Sequence, residues 1–226
     1  MKKTLILISG VILFNTLFFT LCTSRPPIEI KIDNPTDSTI ILKIDDKPLS
    51  IQSHTLRAFE VKPGIRKFEY NSIVKFQDID YQDKYLINPT KSKYYFDKIW
   101  YYTEQWNDNI KNSNKIDTTT IEGYKVKSPV EITNDFIIIG KWSFWPYEYI
   151  PNSIEEKQEK YSLGIAASSK IKVYSENEYL RTIEMNFGAA IIKAEKLGMP
   201  KETIKILLEI NDEQFEKAKN MLLGKK

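Results

Sequence analysis

A single cysteine (Cys22), a single histidine (His54) and eight glycines occur among the 226 residues of this chain, and each scarcity removes a class of explanation. With one cysteine no intrachain disulfide forms, so any folded body must be held by apolar burial. Nucleophilic triads pair serine or cysteine with histidine, and catalytic zinc usually draws on two or three histidines. A lone histidine in the polar stretch SIQSHTL therefore reads as a surface residue. The glycines stand singly, which excludes a glycine-rich phosphate loop, and no G-x-S-x-G elbow occurs. Nothing in the sequence calls for a cofactor or a metal. The formal charge is only +3, and setting Lys2 and Lys3 aside leaves 31 basic residues against 30 acidic ones. No electrostatic footprint for nucleic acid survives.

What the chain does have begins at its first residues. Lys2 and Lys3 precede a nearly unbroken apolar run from Leu5 to Leu21, the charged and hydrophobic parts of a signal sequence or signal-anchor. The segment TSRPP that follows reads as a short stiff tether. Residues 1–24 are thus expected to be a signal peptide or membrane anchor, with everything beyond them extracytoplasmic. Three outcomes fit the junction. Cys22 stands where a bacterial lipoprotein carries its acylated residue, with the small Thr20 two positions before it, although Leu21 replaces the usual Gly, Ala or Ser. Small residues also allow ordinary cleavage after Cys22 or Ser24, giving a secreted protein. An uncleaved run of this length is just long enough to span a bilayer. The absence of any N-x-S/T sequon with a permitted middle residue is in keeping with a bacterial envelope.

The remaining residues, about 200, suffice for one sizeable domain or two small ones. An α+β fold is expected, with an antiparallel β-sandwich followed by a helical tail. Over 25–93, IEIKI and TIILKI alternate apolar residues on one face, and turn signals recur at NPTD, Asp45-Asp46 and Pro63-Gly64. Over 94–174, YYFDKIWYYTEQW places Tyr94, Phe96, Trp100 and Tyr102 on one face of a strand and Tyr95, Ile99 and Tyr101 on the other. Further strands are expected near Ile121 to Val126, Glu131 to Lys141 and Lys170 to Tyr174, with this region continuous with the sandwich or separate from it. Two prolines make KWSFWPYEYIPNS a loop rather than a ladder strand. Over 175–226 three helices are expected. Ser175 and Glu178 form a capping box for the first, which carries Leu180, Ile183, Phe187 and Ile191 to a stop at Gly198. The second starts near Pro200 with Ile204, Leu207 and Leu208 inward. The third is capped by Asn211 and Gln214 and carries Phe215, Ala218 and Leu222. Burial of Phe187 and Ile191 would mean that the helical stripe is covered within the chain; their exposure would call for a partner.

The stretch from Ile30 to Tyr70, with its Asn-Pro turn, Asp-rich hairpin and Pro-Gly closure, resembles the small β-sandwich modules of the PEGA or carboxypeptidase-regulatory-like kind found in bacterial envelope proteins. The resemblance covers about a quarter of the chain and implies an accessory or recognition module rather than a catalyst. It carries over no functional residue.

Three groups of residues remain as candidates for chemistry. Asp78, Asp80 and Asp83 lie close together in QDIDYQDKY, but the glycine and distal glutamate of an EF-hand-type calcium loop are missing, which favours a solvated strand edge. Glu155, Glu156 and Glu159 read as an exposed helical turn. The tryptophans Trp100, Trp106, Trp142 and Trp145, accompanied by Tyr147, form either a core or a candidate aromatic binding patch. The preferred reading is a non-enzymatic, membrane-tethered interaction module of the extracytoplasmic side, whose partner is an envelope protein. The alternatives are a module binding cell-wall glycan through exposed aromatics and a carboxylate-dependent hydrolase, which needs two carboxyls facing each other across a cleft.

Overall fold

The fold was obtained as a computed structural model, which describes residues 25–102, 118–127, 130–149 and 167–224. The expected signal or anchor segment with Cys22, the side chain of Trp100, all of Trp106 and the glutamates at 155, 156 and 159 lie outside what is described. The strands are β1 (Ile28–Asn34), β2 (Ile40–Ile44), β3 (Lys47–Ile51), β4 (Thr55–Val61), β5 (Gly64–Tyr70), β6 (Ile73–Ile79), β7 (Lys84–Ile87), β8 (Tyr94–Tyr102), β9 (Thr118–Ile121), β10 (Tyr124–Lys127), β11 (Glu131–Thr133), β12 (Ile137–Gly140) and β13 (Ala167–Ser175). Helices α1 (Glu176–Lys196), α2 (Lys201–Leu208) and α3 (Asp212–Leu223) complete the chain as an α+β fold.

Layering follows from which residues each strand buries. In β1 the even positions Ile28, Ile30 and Ile32 face Ile40, Leu42 and Ile44 of β2 and Phe68 of β5, joined by Tyr85 and Ile87 of β7. This core lies between an outer sheet of order β3-β2-β5-β6 and a middle sheet of order β12-β7-β1-β4. The sheets are antiparallel except at β1 and β7, which run parallel with Ile32 opposite Ile87. The middle sheet is also covered on its other face. There Leu56, Leu86 and Ile138 meet Tyr94, Phe96 and Val173 of a third sheet, β11-β8-β13, with Trp142 and Trp145 between them. The far side of that third sheet gives Tyr95 and Tyr174 to a last core shared with the helices and the β9-β10 hairpin. Tyr95 and Tyr174 both pack on Tyr179 of α1, with centroids 4.8 and 5.1 Å away. A strand with aromatics on both faces needs a cover on both, and β8 has the middle sheet on one side and helices on the other.

Several local expectations are corrected. The strand expected at Ile121 to Val126 is the tip of a hairpin, turned at Glu122-Gly123, both with positive φ. A Cβ on Gly123 would also displace the end of the Gln214 side chain, a flexible group that can shift. The stretch from Glu131 to Lys141 breaks into β11 and β12, which belong to different sheets. Only half of the capping box at α1 forms. The Ser175 hydroxyl accepts from the Glu178 backbone, while the Glu178 carboxylate is drawn off to Tyr147 and Lys172. The Asn211–Gln214 box is reciprocal, as expected. In α2, Ile204 is buried but Leu207 is 63% exposed, since α2 is a short helix with only one side against the core. Ile191 is fully buried and Phe187 packs on Tyr124, so the stripe of α1 is covered within the chain. Much of that cover is α3, which approaches so closely that a Cβ on Gly188 would sit 2.3 Å from the Ala218 carbonyl oxygen.

Candidate functional site: a polar seam between two sheets

The odd positions of β1 point away from the sandwich core into the space between the middle and third sheets, carrying Lys31 and Asp33 into an otherwise apolar layer. Asp33 is fully buried. Its Oδ2 accepts a hydrogen bond from the hydroxyl of Tyr94, also fully buried, and lies 3.5 Å from the hydroxyl of Tyr147. Its Oδ1 is buried without a hydrogen-bond partner among the described residues. Burial pushes the Asp33 carboxyl up to about 6, against the opposing pull of its hydrogen bonds with Tyr94 and Tyr147 and the backbone of Asn34. Burial, reinforced by the neighbouring acid, likewise raises the Tyr94 phenol well above its usual range and the Tyr147 phenol to about 12.

Segment 141–149 completes the seam. Ser143 and Phe144 donate to the Ile171 carbonyl at 2.7 and 3.2 Å, and Val173 returns a bond to the Phe144 carbonyl, so the segment docks along the free edge of β13. Only one isolated bridge forms, at Phe144 and Lys172, and the segment makes no strand, in line with Pro146. Glu148 accepts from the Trp145 backbone at 2.8 Å and from Lys31 at 3.4 Å. Lys31 and Lys84 lie 4.6 and 5.3 Å from the Trp145 ring centroid. Lys172, almost wholly buried, donates to the Glu148 carbonyl and pairs with Glu178 at 2.7 Å. Glu178 also accepts the Tyr147 backbone N–H at 2.9 Å. Tyr147 is thus held at both ends by acids, at its backbone by Glu178 and at its hydroxyl by Asp33, with φ of 64°. Lys172 neutralises Glu178, and Lys31 neutralises Glu148. Asp33 has neutral partners, the two phenols and the Asn34 backbone, and no ion pair among the described residues.

Of the residues that composition and spacing singled out, Trp142 and Trp145 are 3% and 8% exposed and meet edge to face at 5.1 Å inside the seam, so neither offers a ring face to a ligand. Tyr147 is 49% exposed. His54 lies at the surface and pairs with Asp37 at 2.8 Å. Asp80 accepts from Gln82 and from the Tyr85 hydroxyl, which ties down a turn, and among the described residues no three His, Cys, Asp or Glu side chains converge as metal ligands.

Two features of the site escape the reading of the sequence given above. Asp33 carries no local signal, because a polar residue in an alternating strand looks solvent-facing unless a further sheet is known to cover it. The second feature is legible: the motif Asn-Pro-Thr-x-Ser occurs twice, at Asn34 and at Asn88. Both asparagines are fully buried, and each donates from Nδ2 to the carbonyl of the serine four residues on, at 2.8 Å. In each motif the threonine hydroxyl donates back to the asparagine Oδ1, at 2.6 and 3.4 Å. These turns end the adjacent parallel strands β1 and β7, and each sends the chain out of the middle sheet, one into the outer sheet and the other into the third. The Asp33–Tyr94 bond joins the strand that ends in the first turn to the strand that follows the second.

Among the described residues no helix is long and apolar enough to cross a membrane. Comparison of the chain with protein-family models, with curated proteins and with solved structures finds no match.

Proposed function

We propose that this chain is a non-enzymatic module tethered to a membrane on its extracytoplasmic side, where it acts by binding another envelope protein. The observation that carries the binding reading is the outward face of the β3-β2-β5-β6 sheet. Ile41, Ile65, Val74 and Phe76 all project from it and are 61, 70, 45 and 67% exposed, where a sheet facing water usually presents polar residues. Between them run the ion pairs Lys43–Glu69 and Lys67–Asp46, both at 2.7 Å. Apolar contacts interleaved with charges that set register suit a protein partner. The most perturbed acid, by contrast, is shut inside the seam, which argues against the carboxylate-dependent hydrolase. Burial of Trp142 and Trp145 weakens the glycan-stacking alternative in the same way. The tether rests on the apolar run before Cys22, and the likeness of residues 30–70 to envelope sandwich modules points the same way.

Fractionation tests the tether. The full chain is expected to pellet with membranes and to be digested by protease added outside intact spheroplasts, and Cys22→Ser separates lipidation from an uncleaved anchor. Recovery of protease-protected protein from the soluble cytoplasm would overturn the placement. For the surface, a photo-crosslinking residue in place of Phe76 is expected to give a discrete protein adduct in cells, and the same residue in place of Asp37 none. Identical patterns at both positions would sink the binding reading.

A further inference from the structure

We infer that Asp33 is the proton-operated element of a latch that clamps segment 142–149 onto the seam between the middle and third sheets, so that the segment is held more tightly in acid than at neutral pH. The inference goes beyond the proposed binding role and does not depend on it. Its basis is the arrangement of charge. Acting on Asp33 are Tyr94 from β8, Tyr147 from the segment, the Asn34 backbone and Glu178 from α1. Ser175 of β13 bonds Tyr147, and Glu148, Lys172, Lys31 and Lys84 occupy the rest of the seam. Lys172 is committed to Glu178 and the Glu148 carbonyl, and Lys31 to Glu148. Lys84 stacks on Trp145 and faces Glu148. The two close ion pairs, Lys172–Glu178 and Lys31–Glu148, are complete without Asp33. With Asp33 ionised, a second carboxylate stands near Glu178, in no ion pair among the described residues and with its Oδ1 buried without a hydrogen-bond partner among them.

Tyr147 connects this charge to movement. It is half-exposed, it belongs to the segment, and its hydroxyl covers the carboxyl. Swinging the segment away would admit water to Asp33, which an ionised carboxylate favours strongly and a neutral one hardly at all. Opening therefore couples to deprotonation. The raised carboxyl, at about 6 in the closed form against 3.8 when hydrated, puts the response at mildly acidic pH.

Hydrogen exchange of the full chain, followed by mass spectrometry of peptides covering 142–149 and corrected for intrinsic exchange rates, reads the latch directly. Protection is expected to rise on the order of tenfold from pH 7.5 to pH 5, with onset near the Asp33 value. In Asp33→Asn it should be high and level across that range. Glu178→Gln should keep the response with its onset displaced to lower pH, since the Glu178 charge helps raise Asp33. Equal wild-type protection at both pH values would overturn the latch, as would a response that survives in Asp33→Asn or vanishes in Glu178→Gln. Should Asp33→Asn fail to fold, the wild-type profile and the Glu178→Gln profile still decide the matter.

Discussion

Asp33 shows how one side chain sets a pH dependence for the whole fold. Its carboxyl is raised in the folded state, to about 6 from 3.8, so folding favours the protonated form. Between those two values this group binds more protons in the native state than in the unfolded one, so the contribution of Asp33 to stability falls as pH rises from about 4 to about 6 and then levels off. Chemical denaturation across this range should show that decline in the difference between wild type and Asp33→Asn, which cancels the opposite trend from acids held low such as Asp45 and Asp212. At pH 7.5 the asparagine variant should be the more stable of the two, by an amount on the order of 1–3 kcal/mol. Tyr94→Phe tests the partner. It removes a hydrogen bond to a carboxylate at neutral pH, a loss of about 1.5–3 kcal/mol, and one to a neutral acid at pH 4.5, a loss nearer 1 kcal/mol. A Tyr94→Phe penalty that grows on acidification would contradict the assigned ionisation.

Among the elements, the α1–α3 pair depends on one glycine for its geometry. Gly188 has the Ala218 backbone where a Cβ would go, and a backbone carbonyl cannot give way as a flexible side chain does. Gly188→Ala should therefore separate the helices and destabilise the fold by about 1–3 kcal/mol or more, read as a fall in the thermal midpoint at 222 nm. Gly198 serves as the comparison. It has φ of 77° and open space around it, so Gly198→Ala should lose only the left-handed preference, about 1 kcal/mol. If the two variants lost equal stability, the close approach would not be what limits the pair. The other exposed device is the edge strand β6, whose core-facing positions include Lys75 and Gln77 rather than apolar residues, a pattern that discourages edge-to-edge pairing.

At the scale of the molecule, four layers enclose three cores, and the middle and third sheets each serve two of them. A sheet that loses one cover exposes residues that support the next, so the described body should unfold in a single transition. Ile32→Ala in the outer core and Leu86→Ala in the inner one should each remove about 2–5 kcal/mol. Both should shift tryptophan fluorescence and far-ultraviolet dichroism together. Separate midpoints for the two probes would show that the sandwich and the helix-covered sheet melt independently.

Local physics was readable in the chain itself. Alternation identified β1 and β2, the Asp45-Asp46 turn closed the β2–β3 hairpin, the Pro63-Gly64 turn marked the passage from β4 to β5, and the Asn211–Gln214 cap marked α3, because each depends on residues near one another in sequence. The two-faced aromatic pattern of β8 likewise marked a strand, though not whether its faces were buried. Tertiary structure alone decided what lay on those sides. It divided Glu131 to Lys141 between two sheets and left Leu207 outside. It also took Glu178 away from its cap to hold Tyr147, and turned Asp33 from a polar position in an alternating strand into a buried, unpaired acid. Such outcomes depend on which layer meets which, a pairing set by contacts such as Asp33 with Tyr94, 61 residues apart, that no local window of sequence contains.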